Sequence, residues 1–251
     1  MDNLELVGEG RTTKVYRNGD IASKVYINAP VNEAYNEAKK QQFAYDAGLP
    51  VPKVYGVRRI DDNTVSLDME YIDGVPIANI EMDEDTILKA MAIAIGLHCE
   101  IHRVDAAGLP TYLKRISEKI NGSQYLDNTQ KIKLLSALSN QDNSVEKLCH
   151  GDFHPQNILF DGQKYTIIDW VDAASGNPLT DVCRTYLIFI EEEIYDFAEI
   201  YLDMYCKASN VDKSKILQWL PFLAAARLEE NTRDDRRTMI ENIVTEWCES
   251  N

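Results

Sequence analysis

The sequence predicts an α+β protein of two lobes, an antiparallel-sheet N-lobe over residues 1–74 and a mostly helical C-lobe over residues 75–251. Three observations carry this. Up to Tyr71, β-branched and aromatic residues recur with a period near two between turn-forming clusters. From Asp83 onward the apolar period lengthens to about 3.6. Between the helical stretches sits one short apolar hairpin around Asp161-Gly162, with Asn157 before it and Asp169 after it. A chain of 251 residues with 45% hydrophobic content buries a sizeable core in this arrangement.

The N-lobe reads in order as follows. Leu4 to Val7 is a strand leading into Gly8-Glu9-Gly10-Arg11-Thr12-Thr13-Lys14-Val15-Tyr16, a small-residue loop between strands. Glycine lets backbone amides approach phosphate oxygens closely, so Gly8 and Gly10 are candidate nucleotide contacts, although a plain hairpin turn fits the same residues. A Walker loop is excluded, because it needs glycine at position 13 and Ser or Thr at 15. A dinucleotide fingerprint is excluded because no helix follows directly. Ile21 to Tyr26 is a strand carrying Lys24. Pro30 and Gly48 bracket a helix on which Glu33 and Glu37 share a face one turn apart. Val54–Ile60 and Thr64–Tyr71 form a hairpin around Asp61-Asp62-Asn63, and Met69-Glu70-Tyr71-Ile72-Asp73-Gly74 breaks it. Gly74 and Pro76 mark the expected domain boundary.

In the C-lobe, Ile87, Leu88, Met91, Ile95 and His98 trace one helix face, with Asp83, Glu84 and Asp85 able to cap its start and Gly108-Leu109-Pro110 stopping the run. Further helices are expected over 111–120, 128–139, 180–195, 196–207, 213–230 with a break near Pro221, and 233–249. Asn157-Ile158-Leu159-Phe160 and Tyr165-Thr166-Ile167-Ile168 are the hairpin strands, which brings Asn157 and Asp169 to the same end.

Composition narrows the function. The net charge of −15 argues against nucleic acid and anionic membranes, which need a basic footprint, and favours a cationic small molecule. The charge is uneven: residues 1–74 hold nine basic and twelve acidic side chains, and the remainder 17 and 29. An acidic start and the lack of a long apolar run predict a cytoplasmic protein with no membrane contact, and we expect a monomer. Five scattered cysteines without a C-x-x-C pair suggest buried thiols. His98 and His102 have helical metal-ligand spacing but lack the H-E-x-x-H order, so no zinc site is expected.

The stretch His150-Gly151-Asp152-Phe153-His154-Pro155-Gln156-Asn157, followed by Ile158-Leu159-Phe160 and Asp169-Trp170, carries the chemistry. An amide oxygen from Asn157 and a carboxylate from Asp169 are hard ligands suited to Mg²⁺ that leans on nucleotide phosphates, leaving Asp152 as proton acceptor. Every fixed position matches H-G-D-x-H-P-x-N and the hydrophobic I-D-W. The chain thereby resembles the aminoglycoside phosphotransferase and choline-kinase-like family, and the likeness continues through Asp172 to Val182.

That resemblance implies a bilobal protein-kinase-like fold and a small-molecule kinase with ATP or GTP as phosphoryl donor and Mg²⁺ as cofactor. It puts Lys24 on the nucleotide phosphates with Glu37 as its partner, Glu33 being the alternative. The carbonyl of Glu70 and the amide of Ile72 would pair with adenine. His154 stands near the γ-phosphate position, and His150 and Asp181 tie the loop to the segment after Asp169. Gly8-x-Gly10 is similar to the kinase glycine loop, with Thr13 where the third glycine would stand. Protein kinases also need an A-P-E segment and a long helical tail; A-P-E is absent and 82 residues follow Asp169. A small, cationic hydroxyl compound is therefore the expected acceptor: an aminoglycoside-like antibiotic, amino-sugar or amino-alcohol. Asp172, Glu229, Glu230, Asp234 and Asp235 are candidate contacts, each with a solvated charge as the competing reading. A nucleotide-binding regulatory protein without acceptor turnover is the other class, and the complete set of Lys24, Asp152, Asn157 and Asp169 argues against it.

One prediction comes from the charge distribution. A cleft lined by one sign of charge concentrates counter-charged ligands, and physiological salt screens beyond about 8 Å. The KM of the acceptor should rise with ionic strength, and steady-state kinetics between low and moderate salt check this. A best substrate that is neutral or anionic, with a flat KM, contradicts it.

Overall fold

The computed structural model describes residues 4–10, 13–27, 30–142, 144–230 and 234–251, with the side chains of Val31 and Asp234 left aside. The chain forms two compact units, one of residues 1–86 and 154–173, the other of 87–153 and 174–251.

The first unit is built on a five-stranded antiparallel sheet. Its strands are β1 (Glu5–Glu9), β2 (Thr13–Asn18), β3 (Ile21–Ile27), β4 (Val54–Arg59) and β5 (Thr64–Glu70), in the order β1-β2-β3-β5-β4. Alternation along β3 turns Ala22, Lys24 and Tyr26 to the buried side. Helix α1 (Val31–Asp46) starts after Pro30 and stops at Ala47, ahead of Gly48. It covers one face of the sheet, where Tyr26, Ala34, Val65 and Leu67 form a small core.

A second, three-stranded sheet completes this unit. β6 (Val75–Pro76) pairs with β8 (Ile158–Phe160), which pairs with β9 (Tyr165–Ile167). The Asp161 carboxylate accepts from the amides of Gln163 and Lys164, both at 2.9 Å, and closes the hairpin turn. Gly74 is required next to this sheet, because a Cβ there would stand 3.0 Å from the Phe160 carbonyl oxygen. Residues 75–86 and the β8–β9 hairpin thus group with the N-terminal sheet, whereas the sequence reading places both after its Gly74 boundary. We retain Gly74 as the proposed boundary of the nucleotide-binding sheet.

The second unit is helical around one core. It contains most of α2 (Glu84–Ile101), then α3 (Tyr112–Gly122), α4 (Asn128–Ser139), α5 (Pro178–Glu191), α6 (Tyr195–Ser209), α7 (Lys213–Leu217), α8 (Leu220–Arg227) and α9 (Asp234–Ser250). β7 (Lys147–Cys149) and β10 (Ala174–Gly176) form a two-stranded ribbon among them. Capping follows side-chain chemistry. Asp127 and Gln130 make a reciprocal capping box on α4, Thr111 accepts from the Lys114 amide on α3, and Asn177 accepts from the Leu179 amide on α5. The α2 stripe differs from expectation at Leu88, which is 44% exposed; Met91, Ala94, Ile95, His98 and Ile101 are buried instead. The break expected near Pro221 falls just before it, and Pro221 sits in the first turn of α8, where its missing N–H costs nothing. The expected start of the last helix at residue 233 lies outside the described residues. Among the described residues, no helix is long and apolar enough to cross a membrane.

Candidate active site

In the first unit the site is organised by one buried lysine. Lys24 lies mid-strand in β3, opposite Val15 on one side and Leu67 on the other. Its Nζ donates to Glu37 Oε1 at 2.8 Å and to Asp169 Oδ1 at 3.0 Å. Of the two carboxylates expected on the α1 face, Glu37 is buried against Lys24 and Glu33 is exposed. The Tyr26 hydroxyl, two residues along the same strand face, donates to the other oxygen of Glu37.

The charges of this cluster follow from burial and pairing together. Burial alone would lower the Lys24 pKa, but the carboxylates of Glu37 and Asp169 outweigh it and raise it, so the side chain stays an ammonium ion. Burial raises the pKa of Glu37, and Lys24 opposes that rise. Removing either partner would strand a buried charge.

Asn157 and Asp169 emerge from the same end of the β8–β9 hairpin. Ile158 faces Ile167 in register, and one step beyond, the Ile168 amide donates to the Asn157 carbonyl at 2.9 Å. Asn157 Nδ2 and His154 Nε2 lie 3.2 Å apart, and His154 Nδ1 accepts from the Gln156 amide at 3.3 Å. Asp169 takes a left-handed conformation, φ 64°, which aspartate tolerates better than most residues, and its side chain keeps 38% exposure. An amide oxygen and a partly exposed carboxylate from one hairpin end are a donor set that fits Mg²⁺.

Gly8 and Gly10 lie in the β1–β2 hairpin, where the Gly10 amide donates to the Thr13 carbonyl at 2.8 Å. Arg11 and Thr12, which follow Gly10 in sequence, lie outside the described residues. Glu70 ends β5, with its amide donating to the Lys53 carbonyl at 2.8 Å, and Ile72 lies in the irregular segment that follows.

In the second unit the loop carrying Asp152 is held by its backbone. Asp181, in the first turn of α5, accepts from the amides of His150 at 2.6 Å and Gly151 at 2.7 Å. Gly151 has φ 83°, a conformation that suits glycine. Farther along α5, Thr185 Oγ1 donates to the Phe153 carbonyl at 2.7 Å, so one helix grips the loop on both sides of Asp152.

The same Asp181 oxygen that meets the His150 amide accepts from His98 Nε2 at 3.1 Å and His102 Nε2 at 3.2 Å. Each of those rings then accepts at Nδ1, from Tyr201 OH at 2.7 Å and Tyr205 OH at 2.8 Å respectively. The helical His98/His102 spacing thus serves to fix a carboxylate. Burial would raise the Asp181 pKa, but the donors from His102 and His98 more than offset it and hold it well below the usual range. Burial also lowers the His98 pKa to about 4, so that ring is neutral at pH 7.

The Asp152 side chain is partly exposed and lies 3.8 Å from Arg184 Nη2. Arg184 also pairs with Glu230 at 2.7 Å, and Glu230 is met by Arg227 at 2.9 Å and by Lys119. Against the effect of burial, Arg184 and Lys119 bring the Glu230 pKa down to about 2. Three cations surround Glu230; they come from α3, α5 and α8, and nothing in the local sequence signals their convergence.

The other acceptor candidates fare variously. Glu229 accepts from the Gln124 amide at 2.9 Å, Asp172 is half-buried, and Asp235 is exposed with Arg236 Nε at 3.7 Å. The side chain of Asp234 lies outside the described residues. Arg184 was missed by the sequence reading; its position three residues after Asp181, on the helix face that also carries Asp181, was the available signal.

Comparison with known proteins adds four findings. A family model described as the phosphotransferase enzyme family matches residues 4–219. An aminoglycoside 3'-phosphotransferase of Streptomyces fradiae is 28% identical over 225 residues, covering 78% of this chain and 82% of that protein. Among solved structures, a thermostable mutant of an aminoglycoside phosphotransferase, in ternary complex with ADP and hygromycin B, superposes with a TM-score of 0.76 at 15% identity, covering 100% of this chain and 94% of that one. A choline kinase from Streptococcus pneumoniae gives 0.65 at 19%, covering 99% and 93%. At these identities the two structures speak to the fold alone, and they share the protein-kinase-like arrangement.

The four-donor environment of Asp181 yields a signed pH prediction. Its folded pKa lies below the unfolded value of about 3.9, so its contribution to stability is complete above that pH and fades as acid protonates the folded carboxyl. Asp181→Asn should lower the guanidinium midpoint at pH 7, and the gap to the parent should narrow at about pH 3.5. Equal midpoints at pH 7 contradict the role.

Proposed function

Because the chain belongs to the phosphotransferase enzyme family, we propose that it transfers the γ-phosphoryl group of ATP, with GTP as the other donor, to a hydroxyl of a small cationic acceptor. The coarse activity follows from the family: the protein is a small-molecule kinase, a phosphotransferase with an alcohol group as acceptor. The observation that best supports the finer reading is Lys24 held between Glu37 and Asp169, since a buried, permanently charged ammonium is what a polyphosphate requires.

In this reading each residue has one task. Lys24, steadied by Glu37, holds the α/β-phosphates, and the loop carrying Gly8 and Gly10 lies over them. The carbonyl of Glu70 and the amide of Ile72 pair with the base. Asn157 and Asp169 hold Mg²⁺, which supplies neutralisation of phosphate charge when bound. His154 keeps the Asn157 amide oriented and lies toward the γ-phosphate.

Asp152 accepts the proton of the acceptor hydroxyl as that oxygen attacks phosphorus and the bond to the leaving nucleoside diphosphate breaks. Arg184 Nη2, 3.8 Å from Asp152 Oδ1, helps to position that carboxylate. Most of the rate enhancement in phosphoryl transfer comes from such positioning and charge stabilisation. Aminoglycosides and choline, the substrates named for the relatives, are cations. The −15 charge of this chain suits the same class, with Asp172, Glu229, Glu230, Asp234 and Asp235 as the acidic candidates for the acceptor.

Two variants separate these roles. Asp152→Asn should lower kcat by roughly 10²–10⁴ while nucleotide affinity stays near the parent value. Asp169→Asn should weaken Mg²⁺-nucleotide binding in isothermal titration, since it removes the anionic ligand. Undiminished turnover in the first, or equal affinity in the second, contradicts the assignment.

A further inference from the structure

An ammonium group has three N–H donors. In the proposed function Lys24 meets both the α- and the β-phosphate, which takes two of them and leaves one. Its Nζ donates here to two carboxylates, Glu37 at 2.8 Å and Asp169 at 3.0 Å. One carboxylate therefore has to be given up when the nucleotide arrives, an argument that rests on that reading of Lys24.

The surroundings of the two carboxylates differ. The Asp169 side chain is 38% exposed, so water can take the place of the ammonium there. Glu37 is buried, and burial makes an unpartnered carboxylate oxygen costly. Both of its oxygens are met among the described residues, Oε1 by the Lys24 ammonium and Oε2 by the Tyr26 hydroxyl.

Tyr26 is placed to hold Glu37 without help from Lys24. The strand period puts it on the Lys24 face of β3, opposite Val65, and its ring is buried in the small core with Ala34, Val65 and Leu67. A ring fixed by packing presents its hydroxyl at one point. One turn along α1 from Glu37, Gln41 Nε2 donates to the carbonyl of Pro52, ahead of β4, at 2.8 Å. The helix is thus tied down at two buried positions, and neither tie passes through Lys24.

We infer that Tyr26 is a positioning residue for phosphoryl transfer: its hydroxyl pins Glu37, so that Lys24 keeps Glu37 as its anchor and gives up Asp169 to reach the phosphates. Without the hydroxyl, Glu37 Oε2 loses its donor, the carboxylate is free to swing with the ammonium, and the phosphate contact loses its fixed geometry. Tyr26 acts through Glu37 and touches no reacting atom.

Isothermal titration of the full-length parent and of Tyr26→Phe, each with Mg²⁺-ADP and with adenosine, tests this. The variant should bind Mg²⁺-ADP about tenfold more weakly, the scale of one hydrogen bond to a charged group. It should bind adenosine as the parent does, since adenosine carries no phosphate. A tyrosine that only stabilises the fold lowers the thermal midpoint and leaves both affinities unchanged; that result overturns the inference, as does an equal loss for the two ligands. Crystals of the parent with and without Mg²⁺-ADP need no variant, and they decide the matter should Tyr26→Phe not fold. Tyr26 and Glu37 should stay in hydrogen-bond contact in both, with Lys24 Nζ parted from Asp169 in the nucleotide-bound form. Glu37 parted from Tyr26, or Lys24 still on Asp169, overturns it. A parent that binds no Mg²⁺-ADP contradicts the proposed function along with the inference, whereas a parent that binds it and a variant that matches the parent contradict the inference alone.

Discussion

One buried carboxylate carries the second unit's share of the chemistry. Asp181 gathers two backbone amides from the Asp152 loop and two imidazoles from α2, and each imidazole is fixed in turn by a tyrosine of α6. Three helices and a loop therefore meet at a single anion. Such an anion is tolerable in a core only when its donors are complete, and four donors complete it. The arrangement also explains why Gly151 must adopt a left-handed backbone, since two successive amides have to turn toward one acceptor.

The first unit solves a related problem with opposite charges. A lysine in the middle of a sheet is buried, so the fold surrounds it with Glu37 from α1 and Asp169 from the hairpin. Glu37 is itself steadied by Tyr26. Glu37 is almost wholly buried whereas Asp169 is partly exposed, which matches their proposed roles as scaffold and as metal ligand. The Arg184, Glu230, Arg227 and Lys119 network does for the helical unit what Glu37 does for Lys24: it places a permanent cation next to a partly exposed carboxylate, that of Asp152.

Much of this was legible in the chain. Pro30 and Gly48 delimit α1, Asp161-Gly162 marks the hairpin, and the motif from His150 to Asn157 points to the family that the comparison shows, because local backbone preferences and motif spacing are written in contiguous residues. What was not legible depended on distant partners. The two-residue strand β6 pairs with β8 through backbone groups, which leave no side-chain signature. Leu88 fits the helical period yet faces outward, since period alone does not say how wide the buried stripe is. Glu230 looked like an available acid in sequence because its three cations come from different helices. His98 and His102 had metal spacing and no visible reason for it until Asp181 stood between them.

The central claim is that this family member uses its lysine, carboxylates and pinned loop to phosphorylate a small hydroxyl compound. ADP release from Mg²⁺-ATP, followed in a coupled assay across a panel of amino-alcohols, amino-sugars and aminoglycosides with their neutral isosteres, tests it most directly. The account predicts ADP formation that depends on the acceptor, saturates with a cationic compound, and yields one phosphorylated hydroxyl per ADP. Nucleotide binding with no acceptor-dependent ADP release from any member of the panel would contradict it and leave a protein that holds the nucleotide without transferring its phosphate.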